Sequence, residues 1–349
     1  METVFFRLLQ HDDKSAALAD ATAALRDGRP TNPAVHVVNP ASFRQVPGSP
    51  FAYWVSTDIT AKFVSLPSLE RTAKRVCFGL STKSDFQFLR LAWEVSASSL
   101  TSRWFSFVNG GEYSPFYADP HLVIDWENDG QRLKEFATRR TAELFGKGGW
   151  SRWINNWEYY FQRGLTWSRR SQIGLSVRAL PEKCIFSDKG PAILPVDFQS
   201  LPKLLGLCNS AAFRAMVSLQ MAFGSYEVGV IQRTPVPDLS VPEGNQLAKL
   251  ALDTVNSKRD IDRTNETSHV FHVPALLQIP GVTLAQRVPA WQGRVADAER
   301  RLTECQREID DIAFRLYGIE GEDRKMIEAG VQEQADDNEP AGDVNEDES

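Results

Sequence analysis

Hydrophobic positions recur every three or four residues over a long stretch near the C-terminal end of the chain. Because this spacing brings side chains to one face of an α-helix, it predicts a single long helix. Residues 243–258 also have a helical composition, so we predict a long helical hairpin over 241–320. The apolar stripe consists of Val288, Trp291, Val295, Ala298, Leu302, Cys305, Ile309, Ile312 and Leu316.

Short apolar runs separated by turn signals fill the preceding segment, residues 49–240. HLVIDW at 121–126 has the composition of a buried strand, and residues 131–145 carry apolar positions at helical spacing. YEVGVIQRTPVP at 226–237 predicts a strand that ends in two prolines. The pattern therefore predicts an α/β fold, with a mixed α+β body over 49–240.

The two ends of the chain differ from this body. Residues 1–48 predict an N-terminal helix followed by an irregular connector rich in proline and asparagine. From residue 320 onward the chain holds 12 acidic and 2 basic residues, with almost nothing apolar after Ile327. Such a composition cannot bury a core, so residues 321–349 are predicted to form a disordered acidic tail.

Composition excludes several classes of protein. The chain is 42% hydrophobic and 24% charged, which is ordinary for a globular protein. It contains no run of 18 apolar residues, and its first residues do not resemble a signal peptide, so a cytoplasmic protein is expected. The cysteines are scattered without a CxxC pair, which argues against a disulfide framework and a structural zinc site.

The net charge of -6 is unevenly distributed. Residues 1–240 hold 27 Lys and Arg against 22 Asp and Glu, whereas residues 241–349 hold 12 against 23. Within the first part, residues 131–233 hold 15 basic and 7 acidic residues. A locally basic and aromatic body is typical of a protein with an anionic partner, although ordinary surfaces also carry basic stretches.

The sequence holds few patterns typical of a catalytic or metal-binding site. No GxxxxGKS phosphate loop occurs, and the glycines of 145–149 follow a helix rather than a strand. His269 and His272 have no acidic ligand nearby, so no metal site is predicted. The cluster Asp125, Glu127 and Asp129 offers carboxylates for a hydrolase, but its place between a strand and a helix favours a turn and a helix cap.

Two groups of residues instead have the composition of a binding surface. One lies within 160–181 and the other within 81–90, and each combines basic side chains with small hydroxyls. Arginine and lysine contact phosphates or guanine, hydroxyls contact the backbone, and an aromatic ring stacks on a base. The candidate nucleic-acid contacts are Thr82, Lys83, Arg90, Asn109, Arg163, Thr166, Trp167, Ser168, Arg169, Arg170 and Arg178.

An ordered series of strings resembles the target-recognition region that follows the catalytic domain in large adenine-specific DNA methyltransferases. The relevant enzymes are those of the BREX (PglX-like) and DISARM phage-defence systems and of single-chain restriction-modification systems. The closing segment IDDIAFRLYGIEGED at 309–323 also resembles the C-terminal helix of such enzymes. The strings are SPFAYWVS (49–56), FGLSTKSDFQFLRLAWEV (78–95), WFSFVNGGEYSPFYAD (104–119), LVIDWENDG (122–130), YYFQRGLTWSRRSQIGLSVRALP (159–181), CIFSDKGPAI (184–193), LLGLCNSAAF (204–213) and YEVGVIQRTPVP (226–237).

The resemblance implies a target-recognition domain over 49–240 that binds double-stranded DNA and presents adenine for methylation. The enzymes of this family hold the flipped adenine with an Asn-Pro-Pro-aromatic tetrad, and no Pro-Pro pair occurs in this sequence. No catalytic residue and no cofactor are therefore expected in this chain, and it is expected to be inactive alone. S-adenosylmethionine is expected in a catalytic domain missing from this sequence or in a separate methylase subunit.

Two alternatives come from other classes of protein. The first is a protein-interaction or inhibitor module that acts through the helical hairpin and the acidic tail. The second is a hydrolase that uses Asp125, Glu127 and Asp129. Salt-dependent DNA binding separates recognition from the first, and replacement of these carboxylates tests the second.

Overall fold

The computed structural model describes residues 2–9, 11–28, 32, 34–221 and 224–336, with side chains given only up to residue 330. The strands are β1 Thr3–Phe6, β2 Val35–Val38, β3 Ala73–Cys77, β4 Leu89–Leu91, β5 Trp104–Val108, β6 Leu122–Asp125, β7 Gly164–Trp167, β8 Val177–Leu180, β9 Cys184–Phe186 and β10 Ala192–Pro195. The α-helices are α1 Lys14–Arg26, α2 Thr57–Ser65, α3 Leu69–Thr72, α4 Asp85–Phe88, α5 Glu127–Phe145, α6 Leu201–Cys208, α7 Ala211–Ser218, α8 Val228–Arg233, α9 Pro242–Asp262, α10 Leu284–Tyr317 and α11 Gly321–Asp336. Short 3-10 helices are Pro40–Gln45, Ala92–Glu94, Ala97–Ser99, Trp150–Arg152, Trp157–Tyr159 and Ala275–Leu277.

The strands form one small sheet and two larger ones. β1 and β2 pair antiparallel near the N-terminus. The first large sheet has the order β3-β10-β7-β8 and is antiparallel between all neighbours. The second has the order β4-β6-β5-β9, in which β5 and β9 run parallel and the other neighbours run antiparallel.

The first large sheet separates two hydrophobic cores. Because successive side chains of a strand point to opposite faces, Val76 and Ile193 enter one core while Cys77 and Ala192 enter the other. The first core also contains apolar side chains of α6, α7, α9 and α10, and the second contains those of β5, β6, β9 and α5. Burial of both faces explains why β7 and β10 are apolar almost throughout.

The predicted helical hairpin is present as α9 and α10, which pack against each other, while α9 also packs on α6. Only the C-terminal part of the apolar stripe is deeply buried, at Ile309 and Ile312. The hydroxyl of Tyr317 donates to the carbonyl of Pro235 at 2.7 Å, which attaches the end of α10 to the body. The mixed α/β fold and the long C-terminal helix are thus confirmed.

The predicted start of the disordered tail at residue 321 is wrong, because Gly321–Asp336 form α11. Ile327 is buried in the first core, and Arg324 forms ion pairs with Asp311 and Glu328. The prediction from composition treated the charged residues of this segment as solvated. In the structure, contacts with other elements hold α11 against the body. Residues 337–349, the rest of the predicted tail, lie outside the described residues.

The strand predicted over 226–237 is also wrong, because Val228–Arg233 form α8. Val230 and Ile231 are both buried, and the Thr234 hydroxyl donates to the carbonyl of Val230 at 2.9 Å. A helix of this length covers fewer than two turns, so its apolar spacing does not differ from that of a short strand.

Candidate nucleic-acid interface

Loops from distant parts of the sequence meet at one end of the first large sheet. β3 and β7 both pair antiparallel with β10, so they run parallel to each other. Their C-terminal ends therefore lie at the same end of the sheet. Lys83 follows β3, Arg169 follows β7, and Lys189 precedes β10. The strand order therefore brings together the two basic groups that the sequence predicted separately.

These loops surround a cleft of about 420 Å³, which we call the basic cleft. Its lining residues are Phe78, Gly79, Ser81, Lys83, Arg152, Trp153, Asn155, Arg169, Asp188, Glu227, Val228 and Gly229. Lys83 and Arg152 are exposed, and Arg170 and Lys189 are exposed on the same loops beside the cleft. A groove with several cations at its mouth is the arrangement that attracts a phosphate backbone.

Backbone hydrogen bonds hold the loops of the basic cleft in place. The amide of Ser81 donates to the carbonyl of Trp153 at 2.8 Å, and the amide of Arg169 donates to the carbonyl of Lys189 at 2.9 Å. Gly79 is required for this packing, since a Cβ there would lie 1.8 Å from the carbonyl oxygen of Phe186. The loops that carry these cations are therefore fixed to each other by backbone hydrogen bonds.

The acidic groups of the basic cleft compensate its cations only in part. Arg169 forms an ion pair with Glu227 at 3.1 Å, and Lys189 forms one with Asp85 at 3.6 Å. Such solvent-exposed pairs contribute about 0–1 kcal/mol, so a phosphate can displace the carboxylate. Within the part of the chain that the structure describes, Arg170 forms no ion pair.

Five of the predicted contact residues are buried, and this corrects their assignment to a DNA-facing surface. Trp167 is 0% exposed, and its indole N–H donates to the carbonyl of Tyr226 at 2.8 Å, so it is a core residue. Thr82 is buried, and its hydroxyl donates to Asp85, which supports the loop carrying Lys83. The other three buried residues are Thr166, Ser168 and Arg178.

The remaining predicted residues occupy separate places. Arg163 is exposed and pairs with Glu182 at 3.1 Å, away from the lining of the basic cleft. Arg90 donates to the carbonyl of Phe86 at 2.7 Å and lies under its ring. Asn109 lines a second cavity. The structure thus brings Lys83 and Arg169 to one cleft, with Arg170 next to it.

Sequence reasoning missed three residues of this region, namely Phe86, Arg152 and Lys189. Phe86 is 93% exposed, at a place in α4 where an apolar ring has no partner in the core. Arg152 stacks over Phe145 with its guanidinium carbon 3.9 Å from the ring centroid. The polar neighbours of Phe86 in Ser84-Asp85-Phe86-Gln87 could have indicated that its ring is exposed. The positions of Arg152 and Lys189 near the cleft follow from the strand order and could not be predicted locally.

The second cavity, which we call the polar cavity, has a volume of about 620 Å³. It lies between β7, β8, the loop of residues 109–121 and the end of α9. The amine of Lys258 in α9 donates to the carbonyl of Pro115 at 2.7 Å. Burial, followed by the charge of Arg178, lowers the pKa of Lys258 from 10.5 to about 8.

The lowered pKa of Lys258 predicts a pH dependence of stability. The unfolded chain binds this proton up to about pH 10.5, whereas the folded chain releases it near pH 8. Between these values the unfolded state binds more protons, so the contribution of Lys258 to the free energy of unfolding rises with pH. Surrounding charged or titratable groups are Glu112, Tyr117, Asp119, His121, Arg178 and Asp262.

The measurement is urea unfolding in phosphate-free buffer from pH 7 to above pH 10, for the wild type and Lys258→Met. We expect the wild type to gain stability relative to the variant as the pH rises, because the variant lacks the titrating amine. Cysteines and tyrosines titrate in both proteins, so their effect cancels when the free energies of unfolding are subtracted. A difference that does not change with pH would show that the amine has its ordinary pKa.

The acidic cluster considered for a hydrolase has a structural role at its first member. Asp125 is 1% exposed, and its Oδ2 accepts hydrogen bonds from Arg103 at 3.0 Å and from Arg132. These ion pairs connect β6 to the start of β5 and to α5. Among the described residues, no group of His, Cys, Asp and Glu is arranged to hold a metal ion. None of the helices in the same residues is long and apolar enough to cross a bilayer.

Known proteins resemble this chain along most of its length. It is 28% identical over 287 residues to the adenine-specific methyltransferase BrxX of Escherichia coli O9:H4 (strain HS), covering 79% of this chain and 22% of BrxX. It is 23% identical over 310 residues to the adenine-specific methyltransferase PglX of Lacticaseibacillus casei (strain Zhang), covering 82% and 24%. These proteins are homologues of the chain, which confirms the predicted resemblance to adenine-specific methyltransferases. The chain spans about a quarter of the length of these relatives.

No protein-family model matches the chain. Among solved structures, it is similar to the Type IIL restriction-modification enzyme MmeI in complex with DNA, with a TM-score of 0.47 and 13% sequence identity. The similarity covers 78% of this chain and 36% of the MmeI chain.

Proposed function

We propose that this chain is the sequence-specific DNA-recognition part of an adenine-specific (N6) DNA methyltransferase in a phage-defence or restriction-modification system. The observation that carries the proposal is the basic cleft, where Lys83, Arg152 and Arg169 meet from three separate loops. The homology to BrxX and PglX supports the class of enzyme that we assign to this binding surface.

The chemistry of the basic cleft divides recognition into two tasks. The cations contact phosphates, which fixes the position of the duplex without reading its sequence. Donors and acceptors deeper in the cleft, such as Ser81 and Asn155, hydrogen-bond to base edges. Phe86, which is 93% exposed three residues after Lys83, offers its ring to stack on a base that loses its neighbour during flipping.

The proposal leaves methyl transfer to residues outside this chain. The 349 residues contain no Pro-Pro pair, so the Asn-Pro-Pro-aromatic tetrad implied by the resemblance is not formed from them. We assign S-adenosylmethionine and the reacting adenine to a catalytic domain on the same longer chain or on a separate methylase subunit. The complete enzyme then acts on double-stranded DNA in the cytoplasm.

The test is the salt dependence of binding to random-sequence duplex DNA and to methylation-site libraries. Each phosphate contact contributes about 0.9 to the slope of log affinity against log salt concentration. Arg170 is exposed beside the cleft and unpaired among the described residues, so Arg170→Gln should reduce the slope by about 0.9.

The matched control is Arg301→Gln, which removes one exposed arginine from α10 and leaves the basic cleft unchanged. This control should retain the slope of the wild type. Absence of duplex binding by the wild type at low salt, or an equal loss of slope in the two variants, would contradict the proposal.

A further inference from the structure

Two buried polar atoms in the wall of the polar cavity lack hydrogen-bond partners among the described residues. Thr166 of β7 and Arg178 of β8 are register partners in neighbouring strands, so their side chains share one face of the sheet. Their exposed fractions are 1% and 4%. Thr166 Oγ1 and Arg178 Nε have no hydrogen-bond partner among the described residues, although buried polar atoms are nearly always paired.

Arg178 and Lys258, the two cations of the polar cavity, form no ion pair with the carboxylates that line it. Arg178 donates to the Ser168 hydroxyl and, at 3.4 Å, to the carbonyl of Glu112, both of which are neutral groups. Lys258 donates to a carbonyl, and neither cation forms an ion pair with a described carboxylate. Two desolvated charges of the same sign in one cavity are unfavourable unless an anion lies between or beside them.

Two of the three acidic residues that line the polar cavity, Asp119 and Asp262, belong to a separate hydrogen-bond network, and the third, Glu112, is exposed. The single hydroxyl proton of Ser268 is shared between Asp119 at 2.9 Å and Asp262 at 2.8 Å, and Tyr117 donates to Asp262 at 2.9 Å. His269 also contacts Asp119. These contacts engage Asp119 and Asp262 within the fold, and neither carboxylate forms an ion pair with Arg178 or Lys258.

We propose that the polar cavity binds a phosphate-type oxyanion through Thr166, Arg178 and Lys258. The Thr166 hydroxyl and Arg178 Nε donate directly to the anion, and the amine of Lys258 supplies a second charge. The volume of about 620 Å³ exceeds that of a phosphate alone, so the cavity has room for the rest of a phosphate-bearing molecule. The basic cleft and the polar cavity share no lining residue, so they are two distinct sites.

The test is calorimetric titration with inorganic phosphate at constant ionic strength, using chloride as the balancing anion. Loss of a hydrogen bond to a charged group weakens binding by about tenfold or more, which is the expected effect of Lys258→Met and of Thr166→Val. Lys249→Met is the matched control, since Lys249 is exposed on the same helix α9, and it should bind phosphate as the wild type does. Thr166→Val keeps the shape of the side chain, so its loss of binding is not a folding defect.

Two further measurements distinguish the sources of the phosphate. If it is a phosphate of the DNA backbone, Lys258→Met lowers the salt slope of DNA binding by about 0.9, and inorganic phosphate competes with DNA. If it belongs to a free molecule, Lys258→Met leaves DNA binding unchanged, and adenosine monophosphate binds the wild type more tightly than the variant. Either result supports the site, and Arg170→Gln should retain phosphate binding in both cases.

The proposal is overturned if the wild type does not bind phosphate, or if Lys258→Met and Thr166→Val bind it as well as the wild type. Failure of DNA binding through the basic cleft would leave these titrations unaffected. The two proposals therefore fail separately.

Discussion

A variant with Lys83, Arg152, Arg169 and Arg170 all replaced by glutamine should lose duplex DNA binding by about 10²- to 10³-fold at moderate salt. Four phosphate contacts correspond to a decrease of about 3.6 in the salt slope, because each contributes about 0.9. Asp188 and Glu227 remain in the basic cleft of this variant, so its charge becomes negative and repels the DNA backbone.

The measurement is fluorescence anisotropy with a labelled duplex over a series of salt concentrations. The matched control replaces Arg44, Lys249, Arg301 and Arg307, which are exposed and absent from the lining of the cleft, and it changes the net charge equally. This control should stay within a few-fold of the wild type, since the remaining effect is general attraction. Equal losses in the two variants would mean that net charge rather than the basic cleft determines binding.

The spacing of apolar residues predicted correctly the elements with one apolar and one polar face, and those long enough to exclude the other spacing. The stripe from Val288 to Leu316 lies in one helix, α10, because a repeat of that length fits no other structure. α8 was predicted as a strand, since six residues with Val228, Val230 and Ile231 fit either spacing. α11 was missed because its stability depends on Ile327 and Arg324, whose partners lie on other elements.

The candidate site could be predicted only in its parts. The composition of 81–85 and of 160–181 identified Lys83 and Arg169, but their meeting depends on both strands pairing with β10. Strand pairing between distant segments leaves no local signal in one sequence. For the same reason, Arg152 and Lys189 were not recognised as neighbours of these residues.

Trp167 shows why composition alone assigned a core residue to the surface. It lies among arginines and serines in the sequence, which is the setting of an aromatic DNA contact. In β7 it alternates with Thr166, and both are buried because the sheet is covered on its two faces. A sequence in which a buried strand is followed directly by two arginines does not show where the surface begins.

Trp167→Ala should lower the free energy of unfolding by about 3–5 kcal/mol, because it leaves a large cavity in the first core. The substitution also removes the N–H that donates to the carbonyl of Tyr226, which leaves a buried acceptor without its partner. Urea unfolding followed by circular dichroism gives the value. Trp93 is 51% exposed, and Trp93→Ala should change stability by only about 0.5 kcal/mol.

Trp167→Phe separates the core role from a role in base stacking. Phenylalanine keeps most of the ring but has no N–H, so we expect a loss of about 1–3 kcal/mol, set by the unpaired carbonyl of Tyr226. At a temperature where this variant is folded, its DNA affinity should equal that of the wild type. A base-stacking tryptophan would behave in the opposite way, since its removal costs about 1–3 kcal/mol of binding and leaves stability unchanged. Such a result for Trp167→Ala would place the indole at the DNA surface, which its complete burial and its bond to Tyr226 oppose.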